Sequence, residues 1–263
     1  EAIPAPKPVD RIPFLESIHK AQFKALPSGF RILSASEIAQ INKDPYASPW
    51  MAQQEKGTRP ASPLPYQLYA DGKLSDDGQT FKIKFAAGNE VFGASAAGSP
   101  FYVYMPEKDV APRNYAVNAG DQLIDEWALN ANENYHLQVY GPNGFFREFT
   151  GNGNDPAIDI ALEYQRTAAA KKALTGNVEI KLRNTGKQKI TVEVSDNAYK
   201  GKAQTKIINP GAQATLIADL SKNSGWYDLS VKVKGQKDFE KRYAGRVETG
   251  RISITDPVMG RMV

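Results

Sequence analysis

The chain has 263 residues, 24% of them charged and 41% hydrophobic, a balance that describes a folded domain protein and excludes a disordered one. It has no cysteine and only two histidines, His19 and His136, which excludes disulfides, thiol catalysis, thiolate metal sites and multi-histidine metal sites. The net charge of +4 is unevenly spread. Residues 1–59 carry 8 basic against 6 acidic side chains, residues 60–150 carry 6 against 11, and residues 151–263 carry 19 against 12, or +2, −5 and +7.

In chain order, residues 1–12 are extended and punctuated by proline. They lack the basic and apolar regions of a signal peptide and read as a linker, so the chain is expected to have been cut from something longer. Pro13 suits the first turn of a helix running to about Leu26, with Phe14, Ile18, Ala21 and Ala25 at helical spacing. Ser34-Ala-Ser-Glu starts a second short helix, with Glu37 placed to close a capping box on Ser34. The prolines of Lys43-Asp-Pro-Tyr-Ala-Ser-Pro-Trp then make a loop.

From Leu64 the period becomes two. Phe81, Ile83 and Phe85 alternate with Lys82 and Lys84, as in a half-buried antiparallel strand. Strands follow at 101–104, 114–117, 122–127, 135–140 and 145–149, and again at 158–164, 178–182, 190–194, 204–208, 212–217, 226–233 and 239–243. Asp76-Asp77-Gly78 reads as a hairpin turn.

The two series are copies. Val117-Asn-Ala-Gly matches Ile208-Asn-Pro-Gly at an offset of 91, and Tyr135-His-Leu-Gln-Val matches Tyr227-Asp-Leu-Ser-Val at 92. The stretch from Gly141 to Gly151 matches the one from Gly235 to Gly245 at 94. The expected fold is all-β: two tandem immunoglobulin-like antiparallel β-sandwiches behind a short helical, Pro-rich lead-in. The expected boundaries are 1–59 for the lead-in, 60–152 for the first sandwich and 153–263 for the second. Tyr135 with Phe149, and Tyr227 with Tyr243, are expected to pack across the last hairpin of each copy.

No nucleophile motif is present, and Gly151-Asn-Gly-Asn-Asp-Pro lacks the Lys-Ser/Thr ending of a phosphate loop, so it reads as the interdomain connection. Asn152, Asn154, Asp155 and Asp159 do not match a calcium loop. His136 faces away from Tyr135 and Leu137, and lies at the surface or rim. The basic second half, notably Lys200, Lys202, Lys232, Lys234, Lys237, Lys241 and Arg242, suits an anionic surface; alternatively, lysines such as Lys181, Lys232 and Lys234 merely occupy the wet face of alternating strands. Of Trp50, Trp127 and Trp226, the last begins a strand at an edge and is the candidate ligand contact. No cofactor, metal or nucleic-acid motif is found.

Gln54-Glu-Lys-Gly-Thr-Arg-Pro-Ala-Ser-Pro-Leu-Pro-Tyr, Tyr135-His-Leu-Gln-Val-Tyr-Gly-Pro-Asn-Gly-Phe-Phe-Arg and Trp226-Tyr-Asp-Leu-Ser-Val resemble the C-terminal tandem repeats of bacterial phosphocholine-specific phospholipases C. So do the run from Phe239 through Gly245-Arg-Val-Glu-Thr-Gly-Arg and the closing Ser253-Ile-Thr-Asp-Pro. The resemblance implies a secreted or periplasmic parent that hydrolyses phosphatidylcholine or sphingomyelin through a larger N-terminal phosphoesterase domain. No catalytic residue carries over to this chain, which is expected to be inactive alone. The implied role is an accessory module that engages membrane or substrate, or stabilises the catalytic domain, with that domain as first partner and a membrane surface as second. The rival is a carbohydrate-binding or adhesive tandem sandwich, with Trp226 or Trp50 as stacking platform.

Overall fold

The computed structural model describes residues 31–48, 55–130, 133–168 and 173–263. The chain divides into two compact units, Glu1–Gln53 and Gln54–Val263. In the first, helix α1 (Ala35–Lys43) begins with the expected capping box: Glu37 N donates to Ser34 Oγ, and Ser34 N donates to Glu37 Oε2 at 2.9 Å. Asp44 caps the following turn by accepting from Ala47 N. The expected helix from Pro13, together with His19 and Trp50, lies outside the described residues.

The second unit is built from strands. Its short first strand is β1 (Pro60–Ala61). The first sandwich then comprises β2 (Leu68–Leu74), β3 (Thr80–Ala87), β4 (Ser99–Tyr104), β5 (Arg113–Val117), β6 (Gln122–Ala128), β7 (Asn134–Tyr140) and β8 (Phe146–Asn152). The second comprises β9 (Ile158–Arg166), β10 (Leu174–Asn184), β11 (Ile190–Asp196), β12 (Gln204–Ile208), β13 (Gln213–Ala218), β14 (Trp226–Val233) and β15 (Glu240–Arg246). Strand β16 (Ser253–Ile254) returns to pair with β1. The alternation locates these strands apart from β1, β2 and β16. In β2, Asp71-Gly72 has turn composition yet lies mid-strand.

In each copy a three-stranded sheet covers half of a larger one. Sheets β2-β3-β6 and β13-β10-β9 lie over a single eight-stranded sheet of order β12-β11-β14-β15-β8-β7-β4-β5. Each core draws on both layers: Phe81, Ile83 and Phe85 meet Phe101, Leu137 and Phe149 in the first, and Val178, Ile180 and Leu182 meet Val192, Leu229 and Val231 in the second.

The sandwiches are therefore joined by a β-ladder, which the repeat pattern did not announce. β8 pairs antiparallel with β15: Arg147 faces Tyr243, Glu148 faces Arg242, and Phe149 faces Lys241. The repeat offset of 94 maps this pairing onto itself, with Glu148 opposite its own counterpart Arg242. The joint thus has the register of a two-fold dimer contact made within one chain. Pairing the two last strands also removes two exposed edges that would otherwise invite association.

Across the joint, the inward side chains of β8 and β15 are Arg147, Phe149, Lys241 and Tyr243, all at most 4% exposed. Above them β2 and β9 lie side by side, with the Tyr69 and Tyr164 rings 5.2 Å apart and Lys73 paired to Asp159 at 2.7 Å. Arg147 donates to Phe146 O, Ala244 O and Tyr227 Oη at 2.8, 2.7 and 3.1 Å, and its guanidinium lies 4.0 Å from the centre of the Phe145 ring. Lys241, its counterpart in the other copy, donates to Gly72 O at 2.5 Å.

The expected aromatic pairs are replaced by a different contact. Tyr135 stands opposite Gly151 and Tyr227 opposite Gly245, while Phe149 and Tyr243 face Leu137 and Leu229. Phe81 reaches from the other sheet to contact both Tyr135 and Phe149, at 4.3 and 5.5 Å between ring centres. The glycine ending each repeat makes room for its tyrosine. A Cβ on Gly151 would lie 2.5 Å from the Tyr135 hydroxyl and would collide with Asp155 Oδ1, the carboxylate that accepts from that hydroxyl through its other oxygen. Gly151→Ala is therefore expected to cost about 1–3 kcal/mol in urea unfolding, as overpacking of a closed site does. An unchanged midpoint would show that the tyrosine can move aside.

Candidate contact surface

The three-stranded sheets cover one face of the eight-stranded sheet, so its other face carries every second residue outward. One rung across this face reads Tyr102, Tyr140, Phe146, Ala244 and Asp228, and the next reads Tyr104, Gln138, Glu148, Arg242 and Ser230. Tyr102, Tyr104 and Tyr140 are 43%, 41% and 41% exposed, although tyrosine rings in a sheet are more often packed away. Their alternation with buried Phe101, Val103 and Val139 puts them on this side. The Tyr104 and Tyr140 rings meet edge to face at 5.5 Å, and Tyr140 lies 5.0 Å from Phe146. Arg242 covers the far end, 5.4 Å from the Phe146 ring centre.

Beside the aromatic row lies a self-satisfied polar network. Glu148 Oε1 accepts from Gln138 Nε2 at 2.7 Å and lies 2.8 Å from His136 Nε2, while His136 Nδ1 is 3.2 Å from Glu107. Burial opposes ionisation of Glu148, but the hydrogen bonds of Gln138 and His136 and the nearby positive charge outweigh it and hold its carboxyl below the usual range. Arg242 grips Asp228 with two bonds, at 2.7 and 2.6 Å, and that hydrogen bonding raises its already high pKa. Asn197 donates to both Asp228 and Ser230. Each charge here already has a partner, so the face presents aromatic area framed by neutralised polar groups.

The sequence-derived contact residues do not gather. Lys241 is inside the joint, because it shares the inward phase of Phe239 and Tyr243, and cannot face a surface. Arg242 is outward but clamped, and Lys232 is paired to Glu240 at 3.0 Å. Lys200 and Lys202 are exposed in the loop after β11, whereas Lys234 and Lys237 are exposed in the β14–β15 turn at the opposite end of those paired strands. Trp226 is half-buried: its Nε1 donates to Ile254 O, Arg246 lies 5.5 Å from its ring centre, and the turn at Gly144 closes on it. It is no open shelf. Trp127 is buried in the first core, and His136 lies half-buried on the outward side, opposite in phase to Tyr135 and Leu137.

The run Gly245-Arg-Val-Glu-Thr-Gly-Arg folds just beyond the Trp226 clasp. Arg246 and Glu248 are both buried, 3.4 Å apart, and Asn143 of the β7–β8 turn donates to Glu248 at 2.7 Å. This run thus ties the first sandwich to the end of the second. The segment beyond it is pinned by β16, by Thr255 N donating to Arg59 O, and by Tyr199 donating to Asp256 at 2.9 Å.

Among the described residues no helix is long and apolar enough to cross a membrane, and no group of three or more His, Cys, Asp or Glu is placed to hold a metal. The exposed tyrosines, which are not among the contact residues expected above, do leave a signal in the sequence: Tyr102 and Tyr104 alternate with Phe101 and Val103.

Known proteins match this architecture along its length. The chain is 33% identical over 235 residues to a non-hemolytic phospholipase C of Pseudomonas aeruginosa, covering 86% of this chain and 32% of that protein. It is 34% identical over 218 residues to a non-hemolytic phospholipase C of Burkholderia pseudomallei, covering 82% of this chain and 30% of that one. A hemolytic phospholipase C of Pseudomonas aeruginosa is 34% identical over 232 residues, again with 30% of its length covered. The chain thus spans about a third of the length of these relatives. The family described as "Bacterial phospholipase C, C-terminal domain" matches twice, over residues 60–152 and 158–246, one match for each sandwich, and the chain belongs to that family.

Proposed function

We propose that this chain is a non-catalytic accessory module of a secreted bacterial phospholipase C, and that it stabilises the enzyme by seating the outer face of its eight-stranded sheet against the catalytic domain. The parent, on this reading, hydrolyses choline phospholipids through that other domain. The observation that carries the reading is the row Tyr102, Tyr104 and Tyr140 left open beside the half-buried Phe146, since exposed aromatic area on a preorganised surface is typical of protein interfaces. The module suits a rigid support, because its sandwiches share a ladder and a buried joint.

Membrane docking by the basic half has less support. The cations named for it are divided between two ends of the second sandwich, paired to carboxylates, or buried. Co-sedimentation with phosphatidylcholine, sphingomyelin and anionic vesicles across a salt series separates the readings. A supporting module stays in the supernatant throughout. Salt-sensitive recovery with anionic vesicles would move the role to the membrane.

A further inference from the structure

We propose that the cavity bounded by Arg246, Arg251, Ser224, Gly225, Thr249 and Ser253 is a binding site for a phosphate-like oxyanion. It has a volume of about 230 Å³, enough for a tetrahedral oxyanion with bound water. Its wall carries two arginines and no carboxylate. Arg246 is 6% exposed, and its Nε has no hydrogen-bond partner among the described residues. Buried guanidinium N–H groups are seldom left unmade, and an oxyanion is the acceptor they fit best.

Glu248 takes the Nη1 edge of Arg246 at 3.4 Å and does not line the cavity; its Oε2 is likewise buried without a hydrogen-bond partner among the described residues, so Arg246 Nε and the exposed Arg251 charge are the cationic contacts on the cavity side. Arg251 is exposed, makes no hydrogen bond or ion pair among the described residues, and sits where the chain turns from β15 toward β16. The hydroxyls of Ser224 and Thr249 likewise have no hydrogen-bond partner among the described residues, whereas Ser253 Oγ donates to Ser224 O at 3.3 Å. A cationic, hydroxyl-lined pocket with one unsatisfied buried N–H can hold a free phosphate or the phosphate of a lipid headgroup. None of Tyr102, Tyr104, Tyr140 and Phe146 lines this cavity, so the test does not rest on the aromatic face.

The test is titration of inorganic phosphate into the ¹⁵N-labelled 263-residue chain, followed by amide shifts. The expected result is saturable movement of Gly225, Thr249 and Arg251. It should weaken about tenfold in Arg251→Gln, which removes one charge-assisted contact from an exposed position, and less in Thr249→Val. A second arm uses vesicles of phosphatidylcholine containing phosphatidic acid. Recruitment that phosphate displaces and Arg251→Gln weakens assigns the site to a headgroup, and phosphate binding without such recruitment assigns it to the free ion. Absence of saturable shifts at tens of millimolar phosphate, or shifts that Arg251→Gln leaves unchanged, overturns the proposal.

Discussion

Lys241→Met is expected to stabilise the protein by about 2 kcal/mol at pH 7 and to abolish the rise in stability expected of the unsubstituted chain between pH 8 and about 9.5. Burial lowers the Lys241 ammonium from its ordinary 10.5 to about 8, against the opposing pull of Asp71, Asp155 and Asp159, with Lys73 adding to the depression. Between those two values the unfolded chain binds the proton and the folded chain does not, so stability rises with pH across that window. Below pH 8 the whole penalty is present, on the order of 3 kcal/mol for a depression of this size. Methionine removes the penalty at nearly the same length, and forfeits the bond to Gly72 O at a cost of about 1 kcal/mol. Above pH 10 the signs reverse for the buried tyrosines. Burial raises Tyr135, Tyr164 and Tyr243, so the unfolded chain loses its tyrosine protons first and stability falls, which is why the lysine effect is read below that point. Urea unfolding at pH 7 and 9.5 is the measurement. Equal stability of the parent at both would mean that Lys241 is solvated.

Arg147→Ala has the opposite expected effect, a loss of about 3–5 kcal/mol. The substitution empties a space closed by Phe145, Tyr227 and Tyr243 and removes the donors from Phe146 O, Ala244 O and the Tyr227 hydroxyl. Arg147→Lys should recover only part of the loss, because an ammonium cannot reach three acceptors in one plane while lying against an aromatic ring. Since Arg147 bonds to both sandwiches, the variant should shift one shared unfolding transition. A loss below about 1 kcal/mol, or a transition confined to one sandwich, would contradict the joint as described.

The same two residues show what the sequence discloses and what it hides. Period-two alternation located the strands because one face of each sheet is buried, and alternation records that directly. It also held a clue to Lys241 and Arg147, each in phase with the aromatics two positions away, Phe239 and Tyr243 or Phe145 and Phe149. A cation is taken for a surface residue on type alone, and here phase was the better guide. β2 is hidden in the sequence for the converse reason. Asp71-Gly72 has turn composition, but in the fold Gly72 admits the Phe81 and Phe149 rings and offers its carbonyl to Lys241. The β8–β15 ladder was not legible, because periodicity within a strand says nothing about which strand lies beside it. The aromatic face was half legible: exposure of Tyr102 and Tyr104 follows from alternation, whereas their meeting with Tyr140 and Phe146 needs the register between strands.

If the module supports the catalytic domain as proposed, this outer face is covered in the intact enzyme. Hydroxyl-radical footprinting of Tyr102, Tyr104 and Tyr140 tests it, comparing the isolated chain with a full-length phospholipase C that carries the module. The expected result is strong labelling of all three rings in the isolated chain, with Tyr104 and Tyr140 protected several-fold in the full-length enzyme. Equal labelling of the three tyrosines in both proteins would contradict it, and would leave the face open for some other partner.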